Sequence, residues 1–88
     1  MTYYEYAGEM ERLCFKISQA HKVLEKTGLH DFYLAASNGF AELRNNYTVE
    51  EAETVASEEQ MEMLESSRAY VNEVEKQAAE KLDKEISI

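Results

Sequence analysis

Between Tyr3 and Leu24 the apolar residues Tyr3, Tyr6, Met10, Leu13, Ile17, Ala20 and Leu24 recur at alternating intervals of three and four without a gap. An α-helix turns once every 3.6 residues, so this rhythm gathers one greasy stripe along one side of a helix and leaves it in need of a neighbour. A chain carrying that stripe has to pack helix against helix. The rest of the sequence points the same way: there is no proline, there are three glycines, and Glu, Ala, Leu, Lys and Met are plentiful. No stretch alternates in the two-residue period of a strand.

The expected fold is all-α, a small bundle of three helices over about residues 3–27, 32–46 and 49–84. Thr2 and Glu5 open the first helix as a capping box, in which each side chain satisfies a free backbone N–H. Gly28 is placed to close it in the left-handed cap position, with Leu29 as the apolar closing contact and Lys22 and Lys26 near the negative end of the dipole. The second helix starts on Asp31 as N-cap and puts Phe32, Ala36, Gly39, Phe40, Leu43 and Tyr47 on one face, so Gly39 is read as a site of close helix contact. Thr48 and Glu51 form another capping box, with Tyr47 set to staple against Ala52.

From Val49 onward a single helical phase places Ala52, Ala56, Met63, Leu64, Ser67, Tyr70, Val71, Val74, Ala78 and Leu82 on one side. This favours one continuous third helix. A third capping pair, Ser57 with Gln60, marks the alternative of a kink or restart, and Val55 and Met61 fall off the apolar arc. A continuous helix would reach roughly 54 Å, against roughly 12 Å for the radius of gyration of a compact chain of this length. Either it breaks near Ser57, or its distal half with Val71, Val74, Ala78 and Leu82 is covered by a second subunit.

The 88 residues form a single domain, 1–88, and a chain of this size buries only about 60 to 65% of its unfolded surface. Cys14 is the lone cysteine, so no internal disulfide adds to that, and a cytoplasmic, reducing location is expected. The residues from Met1 to Tyr6 show no basic start and no apolar core, which is unlike a signal peptide. The longest uncharged apolar run, Phe32 to Ala36, is far short of the roughly 20 residues that cross a bilayer.

Nothing in the sequence supplies catalytic, metal-binding or cofactor-binding chemistry, and the chain is read as a binding protein and not an enzyme. Cys14 and His21 share a flank of the first helix but stand seven residues, or roughly 10 Å, apart, too far for a thiol-imidazole pair or a shared metal. Both are read as core-edge residues, and His30 as a loop residue. Ser18 and Thr27 occupy the positions three before the two histidines, so the Glu-x-x-His pattern of di-iron bundles is missing.

The functional clue is charge placement. Net charge is −9, and residues 45–67 hold seven acids and no base. Glu50, Glu51, Glu53, Glu58, Glu59, Glu62 and Glu65 would lie along about 23 Å of one helix, close to the spacing of phosphates on a DNA strand. Such a face disfavours nucleic acid and membranes as direct partners and favours a protein with a basic surface. The expected function is therefore an inhibitor or regulator that docks Glu50, Glu51, Glu58, Glu59, Glu62 and Glu65 on a basic, nucleic-acid-handling protein. This is how DNA mimics act, some anti-CRISPR proteins among them. A short reading frame of this kind suits a phage product working in the host cytoplasm. Tyr4 and Phe15, eleven residues apart on the stripe opposite the seam, are read as exposed aromatic anchors of the same interface. The competing reading is a solvated face, with acids placed near positive helix ends. The alternative function is a structural subunit whose seam and long helix build a homodimer.

Overall fold

The computed structural model describes residues 1–86 and contains four α-helices: α1 (Tyr3–Val23), α2 (Thr27–Asn45), α3 (Val49–Glu53) and α4 (Glu58–Ile86). The fold is all-α, and the only extended pairing among the described residues is an isolated antiparallel bridge between Thr2 and Val55. Helix α1 is the spine. It packs along α2, along α4 and against α3, while α2 and α4 meet at the rings of Tyr33 and Tyr70, 5.9 Å apart. The outcome is an elongated slab measuring 55 × 21 × 16 Å, with a radius of gyration of 15.0 Å.

One seam could not serve two long neighbours, and α1 in fact buries a wider arc. Tyr6, Met10, Leu13, Ile17 and Ala20 form the expected stripe, and Ala7, Cys14, Ser18 and His21 form a second one beside it. The second stripe is made mostly of small residues, which lets α2 lie close. Two polar ties fix α2 there: Ser37 Oγ donates to the Glu11 carbonyl at 2.9 Å, and His30 Nδ1 lies 2.7 Å from the Ser18 carbonyl. Since a carbonyl can only accept, His30 carries its proton on Nδ1. It belongs to α2 and is not the loop residue expected.

Helix α4 contributes Leu64, Val71, Val74 and Ala78, all buried. Leu64 and Val71 join the main core with Tyr6, Met10, Leu13 and Ile17, while Val74 and Ala78 pack with Ala20, Val23 and Leu24. Each fully buried aliphatic side chain contributes about 1.5 to 3 kcal/mol through removal from water. The distal half of α4 is thus covered by α1 of the same chain, which removes the reason for expecting a second subunit there. Leu82 alone of that group stays exposed. Lys81 adds a polar clamp, its Nζ donating to the Val23 carbonyl at 2.6 Å at the open end of α1.

Three boundaries differ from expectation. Helix α1 ends at Val23, with Leu24 as its C-cap, rather than near 27, because the left-handed cap position falls on Glu25, with φ of 60°, and not on Gly28. Glu25 N–H donates to the Lys22 carbonyl and Lys26 N–H to the His21 carbonyl, the paired bonds of a Schellman ending. Helix α2 accordingly starts at Thr27 with no side-chain cap, so Gly28 is helical and Asp31 lies inside the helix. Gly39 makes no close contact: a Cβ built on it would meet nothing within 4 Å.

The third difference is the restart. The segment after α3 turns extended at Thr54, and the continuous helix gives way to α3 and α4. The break is held at both ends. Ser57 and Gln60 exchange reciprocal capping bonds of 2.8 and 3.1 Å, and residues 54–56 run beside the start of α1, with Tyr3 N–H on the Thr54 carbonyl and Ala56 N–H on the Met1 carbonyl. The break lets Ala56 turn into the core while Val55, out of phase with the helix, points to water.

Candidate protein-binding surface

Every glutamate of the acidic block is exposed. Helix α3 carries Glu50, Glu51 and Glu53, and α4 carries Glu58, Glu59, Glu62 and Glu65. The block is therefore split across two helices, and a single 23 Å ridge of evenly spaced charges does not exist. Glu58, Glu62 and Glu65 still share one stripe of α4, with Glu59 beside it, so four carboxylates occupy about 10 Å of one helix.

The split sorts these acids by their local physics. Glu50 and Glu51 sit in the first turn of α3, and Glu58 and Glu59 in the first turn of α4, where free N–H groups and the helix dipole favour negative charge. Glu51 also accepts from Thr48 N–H in the capping box. Glu53, Glu62 and Glu65 have no such reason to be acidic. Repulsion between Glu58 and Glu62, four apart, and between Glu62 and Glu65, three apart, costs a few tenths of a kcal/mol each.

Among the described residues no ion pair reaches the block. Arginine and lysine side chains pair instead with Glu9, Glu11, Glu25 and Glu85. Arg68, the base nearest in sequence to Glu65, points to Glu9 instead, at 3.7 Å. No group of three or more potential metal ligands gathers among the described residues.

Tyr4 and Phe15 are about half exposed, at 49% and 50%. They do not join the acidic stripe into one surface. Tyr4 borders a depression with Met1, Glu5, Gly8, Arg12 and Arg44, whereas Phe15 lies beside Ala78, Ala79 and Leu82 in the carboxy-terminal half of α4. Phe15 therefore sits away from Glu58 to Glu65.

Cys14 and His21 are both buried, at 4% and 1% exposure, as core residues. Burial raises the Cys14 thiol above its ordinary range, which keeps it protonated and unreactive. His21 stacks on Tyr33 at 5.7 Å and is lowered from the ordinary histidine value, first by burial and then by Lys26.

One surface was not anticipated as such. Leu29, Phe32, Ala36, Gly39 and Leu43 repeat at three and four along α2, yet Leu29, Phe32 and Leu43 are 41%, 64% and 44% exposed. The residues of α2 that turn to α1 and the core are Tyr33, Ala36, Ser37, Phe40 and Arg44, so Ala36 forms the inner edge of the stripe. The periodicity was legible; what it faces was not, because two apolar stripes run side by side on this helix. Comparison with known protein families, curated proteins and solved structures gives no match to this chain.

Proposed function

We propose that this chain is a non-catalytic binding protein that docks the acidic end formed by α3 and the start of α4 on a basic surface of another protein, acting as an inhibitor or regulator. The observation that carries this reading is the placement of Glu62 and Glu65. They are exposed, repel their neighbours, lie beyond the first turn where the helix dipole would reward them, and form no ion pair among the described residues. Folding gives no reason for them; attraction to a positively charged partner does.

A partner that handles nucleic acid suits the spacing best. Four charges over about 10 Å of α4 approximate the density of one phosphate per 3.4 Å of a DNA strand. Docking there would compete with that partner's own substrate, in the manner of a DNA mimic such as some anti-CRISPR proteins. The work would take place in the cytoplasm, that of the host if a phage encodes the chain, without a cofactor.

The test replaces Glu58, Glu62 and Glu65 together by lysine and recovers bound proteins from host extract at low and high salt. We expect one basic protein to be retained by the wild type at low salt, released at high salt and not retained by the triple variant, with helicity unchanged. Equal retention by both forms would end the proposal.

A further inference from the structure

We propose that the outward stripe of α2 is a self-docking face on which a second copy of this chain pairs antiparallel about a two-fold axis at Ala36. This inference is independent of the acidic end and uses a different helix. The stripe runs Leu29, Phe32, Ala36, Gly39, Leu43, a heptad spacing over about 21 Å of helix. On a helical wheel its centre is turned roughly 120° from Ser37, and although Ala36 is partly buried against the core at its inner edge, Leu29, Phe32 and Leu43 are exposed and can be covered without rearranging the chain's own packing.

The order of sizes along the stripe is what identifies a second copy as the occupant. Reversed against itself with Ala36 on the axis, Leu29 faces the other copy's Leu43, and Phe32, at 64% exposure, comes within one residue, about 1.5 Å along the axis, of its Gly39. The protruding ring thus meets the one position on the stripe with no side chain. The Gly39 site is receptive: a depression of about 430 Å³ is lined there by Ala36, Gly39, Phe40, Glu42, Leu43 and Asn46. Nothing among the described residues uses that space, since a Cβ at Gly39 would have no neighbour within 4 Å, so the glycine is unexplained by their packing. A mid-helix glycine costs about 1 kcal/mol against alanine. A phenylalanine knob from another copy accounts for it.

Charge decides between a second copy and other faces of the same molecule. Two chains of −9 repel wherever glutamates meet. Helix α2 carries only Asp31, Glu42 and Arg44 as formal charges, whereas the much longer α4 is acidic from its first turn. The α2 stripe is the face on which a like-charged copy approaches with the least repulsion. An interface built on one helix pair lies at the small end for specific complexes, so the association is weak and concentration dependent.

The experiment is mass by light scattering or sedimentation from about 10 μM to 1 mM, with thermal melts on dilute samples of each variant. For the wild type we expect the mass to rise from 10.2 kDa toward twice that value, more readily at high salt, where like charges are screened. Docking through the acidic end has the opposite salt dependence. Phe32→Ala alone and Gly39→Phe alone each weaken association at least about tenfold, the first by removing the knob and the second by filling its notch. The double variant carrying both changes inverts knob and notch and recovers the dimer. A wild type that stays at one chain's mass throughout overturns the proposal, as does a dimer indifferent to both single changes or a double variant that fails to recover.

Discussion

His21 Nε2 lies 3.0 Å from the Tyr70 hydroxyl, joining α1 to α4, while its Nδ1 is buried and has no hydrogen-bond partner among the described residues. The ring is stacked on Tyr33 of α2, so one imidazole touches all three long helices. Acidification is therefore expected to loosen their junction. Burial holds the folded-state pKa of His21 below the ordinary 6.5, so the unfolded chain takes up the proton first and stability falls as pH drops through 6.5 toward the depressed value. Melting temperature should be flat from pH 8 to about 7 and decline below about 6.5. His21→Phe should remove that decline, as read from thermal melts across the range. An unchanged slope would mean that other groups carry it.

Glu25 holds a left-handed conformation that costs a residue with a side chain about 1 to 2 kcal/mol. Glu25→Gly relieves this at the expense of extra freedom in the unfolded chain and an exposed contact with Lys81 at 3.5 Å. A net gain of about 0.5 to 1 kcal/mol is expected, raising the melting temperature by a few degrees. Glu25→Ala, which keeps the strain, should give no such gain.

The α1 core and the α2 stripe should respond differently to truncation. Ile17 is 1% exposed at the meeting of α1 with both flanking helices, so Ile17→Ala should cost roughly 2 to 5 kcal/mol in denaturant titrations. Phe32→Ala, on a dilute sample, should change stability by no more than about 0.5 kcal/mol. Comparable losses would show that Phe32 packs within its own chain.

Ser57 caps α4 where the chain restarts. Ser57→Ala should cost about 1 kcal/mol through loss of the bond to Gln60 N–H. Its effect on helical content is also informative: a rise on circular dichroism would mean that the extended segment had become helical and merged α3 with α4.

The sequence carried the all-α class and the starts of α1, α3 and α4, because a capping box is a local device: Thr2 with Glu5, Thr48 with Glu51, and Ser57 with Gln60 each form as read. The choice between one long third helix and a restart at Ser57 was not local. It depended on the bonds of residues 54–56 to Met1 and Tyr3, more than fifty positions away, and those won over an uninterrupted helical phase. Gly28 misled for a related reason. Glycine is the cheapest left-handed residue, but the seam of α1 has to end where Leu24 can reach Val74 and Ala78, and that puts Glu25 in the strained position. Of the candidate site, exposure of the six glutamates, Tyr4 and Phe15 followed from their place on the helical wheel. The division of the acids between two helices, and the separation of Phe15 from them, followed from the restart.

The arrangement of one central helix with two long helices that scarcely touch has a consequence for how the molecule opens. Either flank can detach while the other remains in place, but neither keeps its cover once α1 is gone. Amide exchange should therefore resolve at least two local openings, with the amides around Ile17 slowest because they are released only when the whole molecule unfolds. Helix α2, held by Ser37, His30 and Arg44 and by the half-buried Tyr33, Ala36 and Phe40, contributes one buried residue against four from α4 and is the flank that should let go first.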